Sequence, residues 1–513
     1  MNQTGKFNGV KCDKFFAKVK RGYLSITFDD VLLVPGYSDI LPHQANVESR
    51  FSRNIQLLNP IVSAPMDTVT EYKMAIAMAM NGALGIIHKG LDPIQQAAQV
   101  AKVKHRMNAF IIDPICVKAD EKVADVLRML VAKDYGFTSL PVVDDSGRFR
   151  RIIGVVTGDD FTFCRDKENT LISQIMSRNI ISGTSDMDIK DVYNKMFDNH
   201  KKILPILGQG DMLKGIYTLA DVERIVSNNN VETLNLDSNG NLFVGAAVGV
   251  TSEDRERAYL LASKGVNVFV IDTAHGHSVR VIEMVKYLKR THPEIDVVAG
   301  NISQGEAAKC LVKAGVDGIK IGQGSGSICS TRIISGYGYS QLSAVYECAR
   351  AIRGCGVPIC ADGGIRYSGD ITKAIAAGAD NVMLGGLLAA TLESPGTTIT
   401  KNGVSVKVYR GMGSLEAMNE NKSSSERYGQ SSENKGKFVP EGVVGTVQFK
   451  GGVGDVLYQL IGGLRSGMGY GGVKDIPTLQ KNTEFSLISA SGGNESHPHD
   501  LYGMEDAPNY KGR

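Results

Sequence analysis

The sequence contains no tryptophan, and its 513 residues include only 15 prolines and eight cysteines. No two cysteines form a CxxC pair, which argues against a zinc ribbon and a thioredoxin-type redox motif. No run of 18 apolar residues occurs, and the polar first residues lack the apolar core of a secretory signal. We therefore expect no membrane span, reduced cysteines and a cytoplasmic location.

Charge of one sign is also scarce, since 57 Lys and Arg residues nearly balance 54 Asp and Glu residues and leave a net charge of +3. Proteins that coat nucleic acid normally carry a strong basic field, so we expect no specific nucleic-acid partner. Hydrophobic residues make up 42% of the chain and charged residues 22%, which is typical of a globular protein with a sizeable core. The length indicates roughly two to four domains.

Glycine, in contrast, is abundant. The chain has 58 glycines, which is about 11% of its residues where about 7% is usual. Glycine is favoured in tight turns and where backbone must approach a ligand closely. Many of these glycines directly follow short apolar segments, at 322–326, 363–364, 385–386 and 411–413. The excess therefore predicts a ligand-binding surface built from turns.

Short apolar segments alternate with segments of helical length on both sides of an interruption. The predicted strands are 60–66, 85–88, 242–248, 268–272, 296–300, 318–321, 358–362 and 381–384. The predicted helices are 71–80, 93–104, 252–264, 278–291, 304–314, 341–353 and 369–377. This alternation indicates an α/β protein with a parallel sheet. Glycine-rich turns after the strands favour a (β/α)₈ TIM barrel over an open doubly wound sheet, with the active face at those turns.

The interruption, residues 113–228, consists of two similar units at about 113–173 and 174–228. Each unit predicts the order helix, strand, turn, strand, helix. Thr157 and Asp160 of the first unit correspond to Thr218 and Asp221 of the second. The pair resembles tandem cystathionine-β-synthase-type (CBS) domains, which implies an adenine or guanine nucleotide between the repeats. A packing unit without a ligand stays the alternative.

The insertion divides the chain into three parts. Residues 1–112 are predicted to form the first part of the barrel, and residues 229–513 the rest of it. A polar stretch at 414–437 is too long for an ordinary loop, which indicates a lid or a disordered segment. We expect a mobile flap at about 404–445 and a polar C-terminal tail.

The sharpest chemical feature is the segment 322–332, in which glycines and serines lead to Cys329 and Arg332. Free backbone N–H groups in such a loop bind anions. Together with Arg332 and a helix start, they favour the nucleophilic thiolate. The sequence therefore predicts Cys329 as a nucleophile, and a buried structural cysteine in a glycine turn is the alternative.

Polar residues at other strand ends point to the same face of the barrel. Glycines at 363–364 and 385–386 follow two neighbouring strands, where barrels commonly bind phosphate. Asp362 could accept hydrogen bonds from ribose hydroxyls. Asp272 and Asn301 end two earlier strands and present a carboxylate and an amide to a second ligand region. Each turn alone could be a strand terminus without function.

Eight segments together resemble the inosine-5′-monophosphate dehydrogenase family. They are SAPMDTVT (63–70), DTAHGHS (272–278), AGN (299–301), GSGSICSTR (324–332), ADGGI (361–365), YRGMGS (409–414), RYG (427–429) and VPEG (439–442). The resemblance covers nearly the whole chain, including the place of the CBS pair, and its bacterial-type version carries the same His-Gly-His. It implies oxidation of IMP to XMP with NAD⁺ and water, the committed step of guanine nucleotide synthesis.

The resemblance also implies a role for individual residues. Cys329 would form a covalent thioimidate at C2 of IMP, and Arg427 and Tyr428 of the flap, with Thr331, would activate water. The implied IMP contacts are Ser327, Asp362, Gly363, Gly364, Gly385, Gly386, Tyr409, Arg410, Gly411, Met412, Gly413 and Glu441. The implied NAD contacts are Asp272, Asn301, Gly322, Gly324 and Thr331.

A potassium ion and an oligomer are part of the same expectation. The implied K⁺ ligands are carbonyls of Gly324, Gly326 and Cys329, together with Glu495, Ser496 and His497 of a neighbouring subunit. Sharing a cation between chains implies an oligomer, and the resemblance implies a homotetramer, with an octamer as the alternative.

Two other functions stay open. A GMP reductase would share the barrel, the cysteine loop and the IMP site, and the Arg427–Tyr428 pair and the CBS pair argue against it. A catalytically inactive nucleotide-sensing protein is the other alternative, and an intact set of Cys329, Arg427 and Asp362 argues against that.

Overall fold

The computed structural model describes residues 10–22, 24–107, 110–111, 114–132, 138–144, 150–184, 186–227, 233–430, 438–503, 505 and 507–510. The chain forms two compact units. The larger comprises Met1–Lys104 and Thr233–Arg513, and the smaller is His105–Glu232. The predicted insertion therefore falls within a unit of its own.

The elements are numbered in chain order. The strands are β1 (Val31–Leu33), β2 (Ser49–Arg50), β3 (Gln56–Leu57), β4 (Ile61–Ser63), β5 (Leu84–Ile87), β6 (Phe110–Ile111), β7 (Val117–Lys118), β8 (Leu140–Asp144), β9 (Arg151–Val156), β10 (Ile203–Leu207), β11 (Leu213–Thr218), β12 (Gly245–Val248), β13 (Val268–Asp272), β14 (Asp296–Ile302), β15 (Gly318–Ile321), β16 (Ile359–Asp362), β17 (Asn381–Leu384), β18 (Thr398–Lys401), β19 (Val404–Arg410), β20 (Val444–Gln448) and β21 (Phe485–Leu487). The α-helices are α1 (Cys12–Arg21), α2 (Tyr72–Met80), α3 (Pro93–Lys104), α4 (Val123–Ala132), α5 (Gly158–Phe163), α6 (Ile172–Ile175), α7 (Ile189–Asp198), α8 (Leu219–Ser227), α9 (Ser252–Ser263), α10 (Val279–Thr291), α11 (Gly305–Ala314), α12 (Thr331–Ile334), α13 (Gln341–Ala351), α14 (Ser368–Ala376), α15 (Gly386–Ala389), α16 (Leu415–Glu420), α17 (Lys422–Arg427), α18 (Val453–Gly471), α19 (Ile476–Asn482) and α20 (Ala490–Glu495). Single turns of 3₁₀-helix occur at Phe28–Asp30, Pro42–Gln44, His105–Met107 and Gln209–Asp211.

Eight parallel strands close a barrel in the larger unit, in the order β4, β5, β12, β13, β14, β15, β16, β17. Pairing of β17 with β4 completes the ring, so the sheet has no free edge. The barrel predicted from the sequence is confirmed, and each predicted strand and helix is present, with bounds that either agree or differ by a few residues. The barrel strands are buried almost throughout because side chains fill the inside and helices cover the outside.

A hairpin closes the amino end of the barrel. Phe51 and Leu57, in and beside β2 and β3, are fully buried in one cluster with the barrel interior, including Val298 and Met383. Burying a side chain of this size contributes roughly 1.5–3 kcal/mol. Because the amino end is filled in this way, ligands must enter at the carboxyl ends of the strands, where barrel active sites lie.

A three-stranded antiparallel sheet, β18–β19–β20, lies outside the barrel. Arg410 pairs with Val444 at the end of β19, so the chain leaves this sheet at 410 and returns to it at 444. The polar stretch 414–437 was expected to be a lid or a disordered segment, and its described part contains the helices α16 and α17. Ser414 begins α16 by accepting a hydrogen bond from the Ala417 N–H. Residues 431–437 lie outside the described residues.

The smaller unit contains two sets of elements in the same order, helix, strand, strand, helix. Helix α4, strands β8 and β9 and helix α5 form the first copy, and α7, β10, β11 and α8 form the second. The paired strands of each copy run antiparallel, and each copy has its own apolar core. In the described part of the chain, no helix is long and apolar enough to cross a membrane.

Candidate active site

Two adjoining cavities open at the carboxyl ends of the barrel strands, with volumes of about 130 Å³ and 510 Å³. Both are lined by Gly363, Gly385 and Tyr409, so they form one cleft. The smaller cavity is also lined by Asp272, Asn301, Gly322, Gly324, Gly326, Cys329, Thr331, Asp362, Gly411, Met412, Arg427, Tyr428 and Glu441. The larger adds Ser327, Gly364 and Gly386. Of the predicted site residues, Arg410, Gly413, Glu495, Ser496 and His497 line neither cavity.

The loop 322–330, between β15 and α12, presents Cys329 to the cleft. The Ser330 N–H donates to the Glu441 carbonyl at 2.9 Å, which ties the loop to the returning flap segment. The Cys329 thiol is half-buried, and it donates to Thr331 Oγ1 at 3.1 Å. The Thr331 hydroxyl is both a donor and an acceptor, so it can hydrogen-bond the sulfur in either direction. The loop therefore holds the sulfur that the sequence predicts as a nucleophile in a fixed position.

Arg332 acts on this loop through its backbone. Its Nε donates to the Gln323 carbonyl at 3.0 Å, and its terminal nitrogen donates to the Tyr339 carbonyl. Burial lowers the pKa of Arg332, while the neighbouring Cys329 opposes this effect. Its first contribution is to hold the loop in shape, and its charge acts on Cys329 from that position.

A buried lysine that we did not identify from the sequence lies in the same cleft. Lys320, on β15, is 1% exposed, and its Nζ lies 3.0 Å from Asp272 Oδ1 and 2.6 Å from Asp362 Oδ2. It also contacts Asn301 Oδ1. One ammonium group thus joins the carboxylates expected to bind the cofactor and the ribose. The sequence could have indicated this residue, because Lys320 lies inside the otherwise apolar strand 318–321. Buried charges are rare unless they are paired, so such a lysine predicts a charged partner.

Helix α17 brings Arg427 and Tyr428 to the cleft. A terminal guanidinium nitrogen of Arg427 contacts Asp272 Oδ2, and the Arg427 carbonyl accepts from the Ala274 N–H at 3.4 Å. Burial lowers the pKa of Arg427, and Tyr428 opposes this shift. Burial also raises the pKa of Tyr428, which Arg427 opposes in turn. Arg427 of the flap therefore pairs with Asp272, the carboxylate that was expected to contact NAD.

Gly413 serves this arrangement by being small. A Cβ atom at Gly413 would lie 2.6 Å from Cζ of the Tyr428 ring, closer than side chains tolerate. Gly413 thus permits the Tyr428 ring to pack directly against the backbone. Gly413, which was expected to contact IMP, therefore lies against the ring of Tyr428.

The larger cavity has donors suited to a phosphate group. Tyr409 is 4% exposed, and burial raises the pKa of its phenol to about 12, with a hydrogen bond to Ser327 opposing the shift. A Cβ atom at Gly385 would lie 2.6 Å from the Tyr409 hydroxyl oxygen, so only glycine fits there. The neutral phenol, the Ser327 hydroxyl and nearby backbone N–H groups can all donate to an anion.

Arg410 points to the base of the flap. Its Nε and one terminal nitrogen lie 3.1 and 2.8 Å from Asp67 Oδ2, and a terminal nitrogen lies 2.7 Å from Glu420 Oε2. Burial alone would lower the pKa of Arg410, but the two carboxylates outweigh it and raise the pKa. The guanidinium expected to contact IMP is therefore engaged with protein carboxylates.

The residues predicted to hold a cation fall into two groups. Gly324, Gly326 and Cys329 share the cysteine loop, whose backbone carbonyls are the donor type that K⁺ prefers. Ser496 donates to the Gly492 carbonyl at 2.7 Å, and a ring nitrogen of His497 lies 2.8 Å from the Tyr510 hydroxyl. Within the described residues, no group of three His, Cys, Asp or Glu side chains could hold a metal ion. A loop of carbonyls remains chemically suited to K⁺.

Comparison with solved structures links this fold to nucleotide chemistry. A cysteine-to-alanine variant of GMP reductase from Trypanosoma brucei, in complex with guanosine 5′-monophosphate, matches 93% of this chain and 98% of its own, with 41% identity and a TM-score of 0.81. A second structure of this variant matches with 38% identity and a TM-score of 0.69. The uncovered share is far smaller than the inserted unit, so the match extends into His105–Glu232. The expectation that this insertion argues against a GMP reductase is therefore wrong.

Comparison with curated proteins gives closer relatives. An inosine-5′-monophosphate dehydrogenase from Aquifex aeolicus is 47% identical over 496 residues, which covers 96% of this chain and 98% of the relative. Another from Staphylococcus aureus is 44% identical over 487 residues, covering 95% and 98%. The family model for the IMP dehydrogenase / GMP reductase domain matches residues 25–499. The chain therefore belongs to the IMP dehydrogenase / GMP reductase family.

Proposed function

We propose that this chain is an enzyme that oxidises IMP to XMP with NAD⁺ and water, the committed step of guanine nucleotide synthesis. The observation that carries the proposal is the meeting of three groups in one cleft. The thiol of Cys329, the guanidinium of Arg427 and the carboxylate of Asp272 all line the same cavity. The full-length likeness to curated IMP dehydrogenases supports the same reaction.

The first half-reaction forms a covalent bond. The Cys329 thiolate adds to C2 of the hypoxanthine ring, and the hydrogen on C2 leaves as hydride, so C2 becomes a thioimidate. NAD⁺, when bound, accepts that hydride. Asp272, Asn301, Gly322 and Gly324 are the residues proposed to hold the cofactor, with Thr331 beside the sulfur. The thiol lies in the cavity with these residues, so the hydride has a short path.

The second half-reaction is hydrolysis. Water adds to C2, gives its proton to a base, and the sulfur–C2 bond breaks to return the thiolate and release XMP. We assign the base to Arg427, assisted by Tyr428 and Thr331. An arginine is an unusual base because its pKa normally exceeds 12. Burial lowers the pKa of Arg427 and so increases the neutral fraction.

The flap and the cofactor would use the same carboxylate in turn. Arg427 contacts Asp272 Oδ2, the group assigned to NAD. Arg427 would therefore reach its catalytic position only when Asp272 is free of the cofactor. This sequence of events protects the thioimidate until water is activated.

The larger cavity is assigned to the substrate phosphate. Ser327, Gly364, Gly385, Gly386 and Tyr409 would donate to it, and Asp362 would accept from the ribose. Gly363, Gly411, Met412, Gly413 and Glu441 are proposed for the base and the loop around it. K⁺ would sit on carbonyls of Gly324, Gly326 and Cys329, completed by Glu495, Ser496 and His497 of a neighbouring chain in a tetramer or octamer.

The inserted repeats are proposed to bind an adenine or guanine nucleotide. In the first copy Thr157 Oγ1 donates to Asp160 Oδ2 at 2.8 Å, and in the second Thr218 Oγ1 donates to Asp221 Oδ2 at 2.6 Å. Equivalent hydroxyl–carboxylate pairs at the start of equivalent helices provide matching acceptors for ribose hydroxyls. The cytoplasmic location stays a prediction.

One assay tests the reaction and its two stages. The chain is incubated with IMP and NAD⁺, and NADH and XMP are followed together. Cys329→Ala should make no NADH, whereas Arg427→Ala should release about one NADH per site in a burst and then stall before XMP. Turnover by Cys329→Ala at the normal rate would contradict the covalent route.

GMP reductase is the second candidate, favoured by the likeness to the Trypanosoma brucei structures. That activity would consume NADPH and GMP and release ammonia and IMP. The same preparation is therefore assayed with GMP and NADPH. Faster reduction of GMP than oxidation of IMP would replace the first proposal, and no activity in either direction would favour a nucleotide-sensing protein.

A further inference from the structure

The base of the flap contains an ion pair that lies outside the cleft. Arg410 is the last residue of β19, and Asp67 lies in the loop after barrel strand β4. Their side chains are 15% and 8% exposed, and the shorter contact is 2.8 Å. A buried pair of this kind loses much more when one partner is removed than an exposed pair does. The barrel and the flap are therefore joined at a fixed point.

The same pair holds the junction between the two flap helices. Glu420 ends α16, and its Oε2 lies 2.7 Å from a terminal nitrogen of Arg410. The next residue, Asn421, donates from Nδ2 to Asp67 Oδ2 at 3.3 Å. Arg410 thus contacts the last residue of α16, and Asp67 contacts the single residue that links α16 to α17.

Helix α17 carries the position of this junction to the active site. It begins at Lys422 and ends at Arg427, which corresponds to about 9 Å of helix. Arg427 at its far end contacts Asp272. A displacement of the junction would therefore displace Arg427 from the cleft.

We infer that Arg410 and Asp67 are positioning residues for water activation, which hold Glu420 and Asn421 so that α17 delivers Arg427 to Asp272. This inference rests on the proposed function. It gives Arg410 a task in the hydrolysis step in place of the expected contact with IMP. Weakening the junction favours the open flap, which frees Asp272 for the cofactor and withdraws the base.

A variant with a weakened junction should then have both a lower steady-state rate and a lower KM for NAD⁺. Glu420→Gln keeps the shape of the side chain and removes its charge. Because Glu420 is 62% exposed, we expect a moderate effect. The steady-state rate, limited by hydrolysis, should fall about threefold to fivefold, and KM for NAD⁺ should fall by a similar factor. The initial NADH burst should keep its rate and amplitude.

A matched control lies on the same helix. Lys422 pairs with Glu253 at 3.0 Å, but the two side chains are 59% and 48% exposed. Lys422→Met should leave the burst, the steady-state rate and KM for NAD⁺ unchanged, because exposed pairs contribute little. Arg410→Lys keeps the charge but loses the planar fork that reaches both carboxylates, so it should reproduce the Glu420→Gln pattern more strongly.

The outcomes separate the inference from the reaction itself. A lower rate together with a higher KM for NAD⁺, or no change in Glu420→Gln and Arg410→Lys, would overturn the positioning assignment while the wild-type chain still makes XMP. Failure of the wild-type chain to make NADH from IMP would instead refute the proposed function. A raised KM for IMP in Arg410→Lys, with KM for NAD⁺ unchanged, would overturn the positioning role and support the expected contact of Arg410 with IMP.

Discussion

At the scale of single residues, the cleft depends on charges that are paired inside the protein. Lys320 lies between Asp272 and Asp362, and all three groups are largely withdrawn from water. Two carboxylates so placed repel each other, and the ammonium group between them offsets that repulsion. Lys320 therefore holds together the two carboxylates that are proposed to bind the cofactor and the ribose.

Replacing Lys320 should affect binding as well as stability. Lys320→Met leaves two buried carboxylates without their shared partner, which costs about 3–5 kcal/mol. We expect a lower thermal midpoint together with a raised KM for IMP, because Asp362 loses the ammonium group that holds its carboxylate in position. Thermal unfolding and initial-rate kinetics on the same preparation measure the two effects.

Lys104 provides the matched control for that substitution. It is 7% exposed and donates to Asp237 Oδ2 at 2.7 Å, with its other contacts on residues before β12 and β13. Lys104→Met should also lower the thermal midpoint, but its KM for IMP should match that of the wild type. Equal increases of KM in both variants would mean that Lys320 acts only through overall stability.

At the scale of elements, the cysteine loop and α17 divide the chemistry. Arg332 and the Ser330–Glu441 backbone hydrogen bond hold the loop that presents Cys329, whereas Arg427 reaches the cleft only when α17 is in place. The first half-reaction should therefore be insensitive to the state of Arg427, and the second should follow it.

The pH dependence of the two stages should differ for this reason. The base must be neutral, and burial lowers the pKa of Arg427 from above the working range. The neutral fraction of a cationic group rises with pH, so the hydrolysis rate should rise with pH while the NADH burst does not follow the same curve. Tyr428 opposes the lowering of that pKa, so Tyr428→Phe should move the rising limb to lower pH. Stopped-flow absorbance at several pH values tests this, and a burst that shifts in parallel would contradict it.

Much of the order of strands and helices was predictable, because each barrel strand has a local sequence pattern. Barrel strands such as 268–272 and 381–384 are short apolar runs that end in glycine or acidic residues, and each is visible without its neighbours. The sheet β18–β19–β20 and the flap helices were not predicted. Strand β20 joins this sheet through pairs more than 30 residues apart, such as Arg410 and Val444, which no local pattern indicates. The contact of Arg410 with Asp67 was invisible for the same reason.

At the scale of the whole molecule, the two chain segments that flank the insertion are held by hydrogen bonds within the larger unit. Lys104 is the last residue of α3, immediately before the smaller unit, and it binds Asp237 and the Leu242 carbonyl just after it. Asn235 also returns to the barrel, since its N–H donates to the Ala79 carbonyl at 2.8 Å. The two ends of the insertion are thus fixed by contacts within the larger unit.

Removing the insertion should therefore leave catalysis intact. A chain that lacks residues 115–228 should retain its rate and its KM for IMP, while any response to adenine or guanine nucleotides should disappear. Asp160→Ala with Asp221→Ala in the full chain provides the comparison, since it should remove the response without a deletion. Loss of all activity in a folded deletion variant would show that the insertion is required for catalysis.

Asp272 uses its two oxygens for different partners, Lys320 on Oδ1 and Arg427 on Oδ2. When Arg427 withdraws, the carboxylate keeps one positive neighbour, so opening does not abandon a lone buried charge. Closing places Arg427 on Oδ2 of a carboxylate whose Oδ1 already faces Lys320. The open and closed forms can therefore lie within a few kcal/mol of each other, which is the range in which ligands shift a population. A nearly balanced switch of this kind can respond to cofactor concentration in either direction.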